Sequence, residues 1–196
     1  MTNSEQFQNL HKRASDGEAA AQFELAKAYW NGEGAAQDKI SAIEWYRRAA
    51  RKGDPEHQMA LGLILCWDEG QFKDIEEGFV WIHEAAEQDH LGAQYFLAAE
   101  YATGDNVPKD PAKAAAWYRR AAELGHAEAQ YNLGLMYWEG EGVPRDPAES
   151  HKWLLQSADN GELLAQDFLS KAYRDGLFGF PRDPSKADYW LSQQNK

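Results

Sequence analysis

The sequence predicts an all-α fold, a right-handed α/α superhelix (solenoid) of five 36-residue helix-turn-helix repeats with one N-terminal capping helix. The first observation is that three residue types recur every 36 residues: Gln22, Gln58, Gln94, Gln130 and Gln166; Leu25, Leu61, Leu97, Leu133 and Leu169; Trp45, Trp81, Trp117 and Trp153. The second is that glycine and aspartate punctuate the units at fixed places. The third is that the interval changes once, to 37 residues, between Trp153 and Trp190 in the last unit. Columns that stay in step along a whole chain indicate stacked copies of one structural unit.

The units follow one another from the N-terminus. The first residues resemble a second helix whose own first helix is missing, because Phe7 and Ala14 stand 36 residues before Ile43 and Ala50. Polar residues replace the expected tryptophan and alanine there, as a capping helix requires. The predicted bounds are 1–196 for the single solenoid domain, 1–16 for the capping helix, and 17–52, 53–88, 89–124, 125–160 and 161–196 for the five repeats.

Each repeat contains the signals for two helices. The first helix ends at a glycine that can adopt the left-handed conformation, namely Gly32, Gly104, Gly140 or Gly176. The second begins at an N-cap aspartate that proline often follows, as in Asp110-Pro111, Asp146-Pro147 and Asp183-Pro184. Asp74 with Glu77, and Asp146 with Glu149, resemble capping boxes.

Small residues form two further columns, which predict close approach between neighbouring helices. They are Ala26, Gly62, Ala98, Gly134 and Ser170 in the first helices, and Ala50, Ala86, Ala122 and Ala158 in the second helices. The tryptophan and leucine columns then fill the space between units, so we expect Trp45, Trp81, Trp117, Trp153 and Trp190 to form core.

Composition excludes several function classes. The chain has 196 residues and a net charge of −12, which argues against binding to nucleic acid or to an anionic membrane. No segment approaches the roughly 18 apolar residues of a transmembrane helix, and we expect no secretory signal. The single cysteine, Cys66, excludes an internal disulfide, so we expect a reducing compartment and a cytoplasmic location.

The pattern resembles the Sel-one-like repeat family, a relative of the tetratricopeptide repeat. Residues 125–161 carry the resemblance most clearly, through Ala129-Gln130, Leu133-Gly134, Tyr137, the loop 140–144, Asp146 and Trp153. Repeat two departs from the pattern, because Asp68 and Asp89 replace its glycines. The resemblance implies a non-enzymatic scaffold or adaptor that holds other proteins. Secreted, cysteine-rich relatives have been proposed to bind or hydrolyse β-lactams, but this chain lacks their cysteines.

The resemblance also implies that the first helices line a concave face, where a peptide or protein partner binds. The predicted binding residues are aromatic or aliphatic side chains of these helices: Phe23, Trp30, Met59, Trp67, Tyr95, Tyr131, Leu135 and Trp138. Tyr95 and Tyr131 occupy a column where the family often has tyrosine, so packing within the repeat is the alternative for these two. The tryptophans of the set stand outside the family's usual columns.

Catalytic and cofactor motifs do not emerge from the sequence. It contains no His-Glu-x-x-His or Cys-x-x-Cys motif, so we expect neither metal nor cofactor and no enzymatic activity. Acidic residues cluster in the loops between paired helices: Asp68, Glu69, Asp105, Glu139 and Glu141. They either steer a basic partner or form a solvated rim. Two alternatives to the scaffold stay open, an immunity-like inhibitor of a basic toxin and a hydrolase resembling the cysteine-rich relatives.

Overall fold

The computed structural model describes residues 3–68 and 70–194, and within these ranges it contains eleven α-helices and no strand. The helices are α1 (Asn3–Ser15), α2 (Ala19–Asn31), α3 (Lys39–Ala50), α4 (Pro55–Trp67), α5 (Ile75–Glu87), α6 (Leu91–Thr103), α7 (Pro111–Glu123), α8 (Ala127–Glu139), α9 (Pro147–Asp159), α10 (Leu163–Asp175) and α11 (Pro184–Gln193). The prediction of an all-α fold of paired helices is therefore confirmed.

The chain divides into two compact units, Met1–Ala93 and Gln94–Lys196, each with consecutive helices packed in sequence order. In the first unit α1 to α5 pack one on the next, around buried Leu25, Ile43 and Leu61. In the second unit α7 to α11 do the same, around buried Leu154 and Leu169. The apolar residues that recur in each repeat thus form a continuous interior within each unit.

Aspartate starts the second helix of every repeat. The side chains of Asp38, Asp74, Asp110, Asp146 and Asp183 each accept backbone hydrogen bonds from the first turn. The predicted capping boxes are wrong in one respect: the backbone N–H of the aspartate does not donate to the glutamate side chain three residues later. The backbone N–H of Asp146 donates instead to the Tyr137 carbonyl at 2.9 Å, and that of Asp74 donates to the Leu65 carbonyl at 2.9 Å. Each aspartate therefore caps its own helix and also ties it to the preceding one.

The glutamine column joins four first helices, α2, α4, α8 and α10, each to the helix before it. The Gln58 side-chain amide donates to the Ala50 carbonyl at 3.4 Å, and Gln130 donates to the Ala122 carbonyl at 2.9 Å. Gln22 makes the same bond to Ala14 of α1 at 3.1 Å. The helix α1 consequently packs against α2 as the second helix of a repeat packs against the next first helix.

The tryptophan column is buried, with one exception. Trp45, Trp117, Trp153 and Trp190 are 6–9% exposed, as predicted for core residues, whereas Trp81 is only half-buried. Cations cover the outer faces of several rings, for example the Arg48 guanidinium 4.4 Å from the Trp45 centroid and the Arg120 guanidinium 4.7 Å from that of Trp117. The predicted small-residue columns are buried as well.

Candidate functional site

The ends of two consecutive first helices, α2 and α4, form an open apolar pocket in the first unit. Its volume is about 480 Å³, and it is lined by Trp30, Lys39, Leu63, Ile64, Trp67 and Asp68. We call it the Trp30–Trp67 pocket. Leu63, Ile64 and Trp67 share one side of α4 through helical i,i+3 and i,i+4 spacing. Two of the predicted binding residues therefore meet at one site.

The two tryptophans of the pocket differ in how far their side chains are exposed. Trp30 is half-buried, the Lys39 ammonium lies 4.6 Å from its ring centroid, and its carbonyl accepts a hydrogen bond from the Gln37 side-chain amide at 2.7 Å. Trp67 is 60% exposed, an unusual degree for the largest apolar side chain. Trp30 is thus the more buried of the two tryptophans in the pocket, and Trp67 is the more exposed.

Asp68 shapes the loop at the mouth of the pocket. Its carboxylate accepts hydrogen bonds from the backbone N–H of Gly70 at 2.8 Å and of Phe72 at 3.2 Å. Asp68 itself has extended backbone angles, whereas Gly32 and Gly140 end their helices in the left-handed conformation. The loop of repeat two therefore departs from the glycine-ended pattern, as the sequence suggests.

Three predicted binding residues pack between consecutive first helices instead of lining an open pocket. Phe23 stacks on His57 with ring centroids 4.3 Å apart, and Tyr95 stacks on His126 at 4.6 Å. Tyr131 contacts the Phe168 ring edge-to-face at 6.3 Å. Burial raises the pKa of the Tyr95 and Tyr131 phenols above the ordinary value. These rings join neighbouring repeats and offer a partner only part of their surface.

The remaining predicted residues are also half-buried. Met59 lies on α4 and Leu135 on α8, where Leu135 borders a smaller cavity of about 180 Å³ and packs against the core of the second unit. Trp138 lies under the last loop, 5.4 Å from the Phe178 ring and 4.7 Å from the Arg145 guanidinium. Its surroundings therefore differ from those of Trp30, although both occupy the same repeat column.

The acidic loops are partly neutralised by their own neighbours. The Glu141 carboxylate lies 2.9 Å from the Lys109 ammonium, and Asp68 is engaged in its loop. Glu69 lies outside the described residues. Asp105 and Glu139 are exposed.

Three further residues, Lys39, Leu63 and Ile64, line the pocket and are not among the eight binding residues that the sequence predicts. The i,i+4 and i,i+3 spacing of Leu63 and Ile64 from Trp67 is a signal that points to both, whereas the position of Lys39 depends on the turn that joins α2 and α3.

Across residues 3–68 and 70–194, no three His, Cys, Asp or Glu side chains are grouped so that they could hold a metal ion. In the same ranges no helix is long and apolar enough to span a bilayer. Cys66 is buried.

The family model of the Sel1 repeat matches the chain five times, at residues 19–54, 55–90, 92–126, 127–162 and 163–193. The chain belongs to the Sel1 repeat family. Sel1 repeats typically mediate protein–protein interaction, and scaffolds built from them are generally non-enzymatic. No curated protein matches the chain.

Solved Sel1 repeat structures share the fold. A protective antigen of uropathogenic Escherichia coli with an SLR fold is 32% identical, with a TM-score of 0.85 over 96% of this chain and 40% of that one. A Sel1 repeat protein of Oxalobacter formigenes is 32% identical, with a TM-score of 0.74 over 98% of this chain and 77% of that one. An immunity protein of Pseudomonas aeruginosa has a TM-score of 0.57 at 17% identity, over 96% of this chain and 71% of that one, which shows the fold alone. The chain thus spans less than half of the first of these proteins.

Proposed function

We propose that this Sel1 repeat protein is a non-enzymatic interaction module that binds a segment of a protein partner in the Trp30–Trp67 pocket. The observation that carries the proposal is the exposure of Trp67 at 60% beside an open volume of about 480 Å³. Buried tryptophans dominate many protein interfaces, where truncation of one costs about 2 kcal/mol or more. The other predicted aromatic residues pack between repeats or under a loop, so the tryptophans of this pocket are the aromatic side chains best placed to contact a partner.

The net charge of −12 supports a partner with basic surface. A field of one sign raises the rate at which an oppositely charged partner arrives, and this effect weakens as salt screens the charges. The tryptophans supply the short-range affinity, while the charge governs association rate and salt dependence.

The test is affinity capture from the source cells with the wild type and two variants. Trp67→Ala removes the exposed wall of the pocket, and its mostly exposed side chain leaves the core intact. Val80→Ala is the matched control, because Val80 is 52% exposed but lies on the second helix α5, outside the pocket lining. We expect one partner to be retained by the wild type and Val80→Ala and reduced at least about 10-fold with Trp67→Ala. Equal capture by Trp67→Ala would reject the pocket.

A second candidate function is inhibition of a basic toxin, and the net charge of −12 favours it. The fold of Pseudomonas aeruginosa immunity proteins is compatible with such a role. The expected partner is then a cytotoxic protein of high isoelectric point, and co-expression of this chain restores growth of cells that produce it. A captured partner that is neutral or acidic and not toxic would rule this candidate out.

A further inference from the structure

We infer that the Trp30–Trp67 pocket selects an aromatic, phenylalanine-like side chain presented by a turn of the partner. The inference rests on the proposed function and names the chemistry that the pocket recognises. Its basis is a comparison of two equivalent sites within this chain, of which one is open and the other is filled by the chain's own loop.

The two sites are equivalent by repeat register. Trp30 and Trp138 stand 108 residues apart, three full repeats, in the same position of α2 and α8. The carbonyl of each accepts a side-chain hydrogen bond from the residue seven positions later, from Gln37 at 2.7 Å and from Arg145 at 2.9 Å. Each ring also has a cation near its face, at 4.6 Å for Lys39 and 4.7 Å for Arg145. The two tryptophans therefore share both position and support.

A phenylalanine of the next repeat occupies the site at Trp138. The loop 176–183 carries the one extra residue of the last repeat and brings the Phe178 ring to 5.4 Å from Trp138, at an interplanar angle of 73°. This edge-to-face arrangement is a preferred geometry for aromatic pairs. Phe178 has a φ of 53°, and its carbonyl accepts a hydrogen bond from His151 Nε2 at 2.7 Å. The aromatic side chain thus comes from a tight turn whose backbone is hydrogen-bonded to His151 of α9.

The equivalent loop leaves the site at Trp30 open. Gly70 follows the C-cap residue of α4 by two positions, as Phe178 follows that of α10, so the loop of repeat two has no side chain at that position. The side chains around the two sites differ, because Leu63 and Ile64 stand where α10 has Lys171 and Ala172, and Ala60 stands where α10 has Phe168, whose ring lies 4.6 Å from that of Phe178. A cavity of about 150 Å³ is enough for a benzene molecule, so 480 Å³ holds a phenyl ring and part of its turn. We therefore expect a partner to supply the aromatic side chain that the loop of repeat two lacks.

The test uses the full chain and, as probe, an acetylated and amidated peptide with the sequence of residues 176–183. The indole N–H signals of Trp30 and Trp67, assigned by substituting each tryptophan, report binding in ¹H–¹⁵N NMR spectra. We expect the peptide to shift both signals with a Kd on the order of 1 mM, as suits a short, flexible ligand. The peptide with Phe178→Ala should bind at least about 5-fold more weakly, since it lacks the edge-to-face pair. The peptide with Phe180→Ala is the matched control and should bind like the parent.

Three results would overturn the inference. The first is an equal shift by the parent and Phe178→Ala peptides. The second is no shift of either indole signal at about 5 mM peptide, a concentration several-fold above the expected Kd. The third is equal binding by a Phe178→Leu peptide, because any apolar side chain would then suffice. Each of these leaves the capture experiment unaffected: loss of the partner with Trp67→Ala would still support the pocket, whereas its retention would reject the proposed function itself.

Discussion

Glycine at position 142 permits a close contact between two neighbouring repeats in the second unit. Its φ is +72°, and a Cβ atom there would lie 2.1 Å from the Pro111 carbonyl oxygen. The backbone of the fourth repeat's loop therefore touches the start of α7, which only a residue without a side chain allows. Gly161 has a similar φ of +90°, but a Cβ there would meet nothing within 4 Å.

The two glycines form a matched pair for mutation. We expect Gly142→Ala to lower the free energy of unfolding by about 3 kcal/mol, because backbone strain and a backbone clash add together. Gly161→Ala should cost about 1 kcal/mol, from the left-handed conformation alone. Urea denaturation measures both, and equal losses in the two variants would show that the contact at Pro111 carries no stability.

The side chain of Gln22 lacks a hydrogen bond that its equivalents in repeats two and four make, and a substitution at Lys52 can supply it. The buried Oε1 of Gln22 accepts no hydrogen bond from the described residues. In repeats two and four the same atom accepts from the residue 30 positions later, as Gln130 does from Asn160 at 2.8 Å. Lys52 occupies that position for Gln22.

We expect Lys52→Asn to raise the free energy of unfolding by about 1 kcal/mol, because asparagine at the equivalent position 160 donates to the same glutamine atom, a hydrogen bond that Lys52 does not make. Lys52→Leu is the control, since it removes the same charge and places there the residue that Leu124 provides in repeat three. Thermal denaturation of both variants measures the effect. No difference between them would mean that the turn after α3 cannot reach Gln22.

Among the helices, α3 and α5 are joined by an ion pair that the repeat pattern alone does not predict. The Arg47 guanidinium donates two hydrogen bonds to the Glu77 carboxylate, at 2.9 and 2.6 Å. The equivalent Arg119 donates instead to the Tyr137 hydroxyl. Repeat two has Leu65 in place of that tyrosine, so Arg47 turns to Glu77. The replacement of the tyrosine by Leu65 in α4 thus goes with a different hydrogen-bond partner for the arginine of α3.

This ion pair makes stability depend on pH in one direction. The hydrogen bonds from Arg47 lower the pKa of Glu77, and Trp81 donates a further bond. A lowered folded-state pKa means that the stabilisation is full above the ordinary glutamate pKa and is lost as pH falls through the folded-state value. We expect Arg47→Gln to cost about 1 kcal/mol at pH 7, since the pair is partly exposed and screened by solvent.

The difference between wild type and Arg47→Gln should shrink as pH falls from about 7 to below the ordinary glutamate pKa of about 4.3, because the carboxylate of Glu77 then takes up a proton. Urea denaturation at several pH values measures it. Arg48→Gln is the control, because that guanidinium lies over the Trp45 ring and its contribution should not follow the same titration. A constant Arg47→Gln difference across this range would contradict the role of Glu77.

Helix ends are the elements that the sequence predicts best. The N-cap aspartates and the C-terminal glycines act through local backbone geometry, so residue type and spacing are enough to find them. The capping boxes fail because the aspartate N–H, as at Asp146, is already bonded to the preceding helix, a contact across 9 residues that local rules do not consider. Trp81 is less buried than its column predicts, and its indole N–H donates a hydrogen bond to the Glu77 carboxylate at 3.1 Å.

At the scale of the whole molecule, the period of 36 residues predicts the fold, but only departures from the period locate the candidate site. The eight residues predicted for binding share helix positions, yet packing between repeats covers most of them to some degree. Trp67 stands out because it places a tryptophan at a helix position that is exposed in every repeat, where the other repeats have Asn31, Thr103, Glu139 and Asp175. Trp138 is covered by Phe178 in the loop of the next repeat, which has one extra residue, and the path of that loop does not follow from the column pattern.

The most direct test of the central claim is photo-crosslinking in the source cells, with benzophenone-alanine replacing Lys39, an exposed residue that lines the pocket, so that both tryptophans stay in place. The account predicts one dominant crosslinked protein at this position, competed by an excess of the wild-type chain. The same label at Val80, exposed but outside the pocket lining, should give no crosslink to that protein. A crosslink of equal strength from position 80, or none from position 39 under conditions in which the partner is captured, would contradict the claim that the Trp30–Trp67 pocket is the binding site.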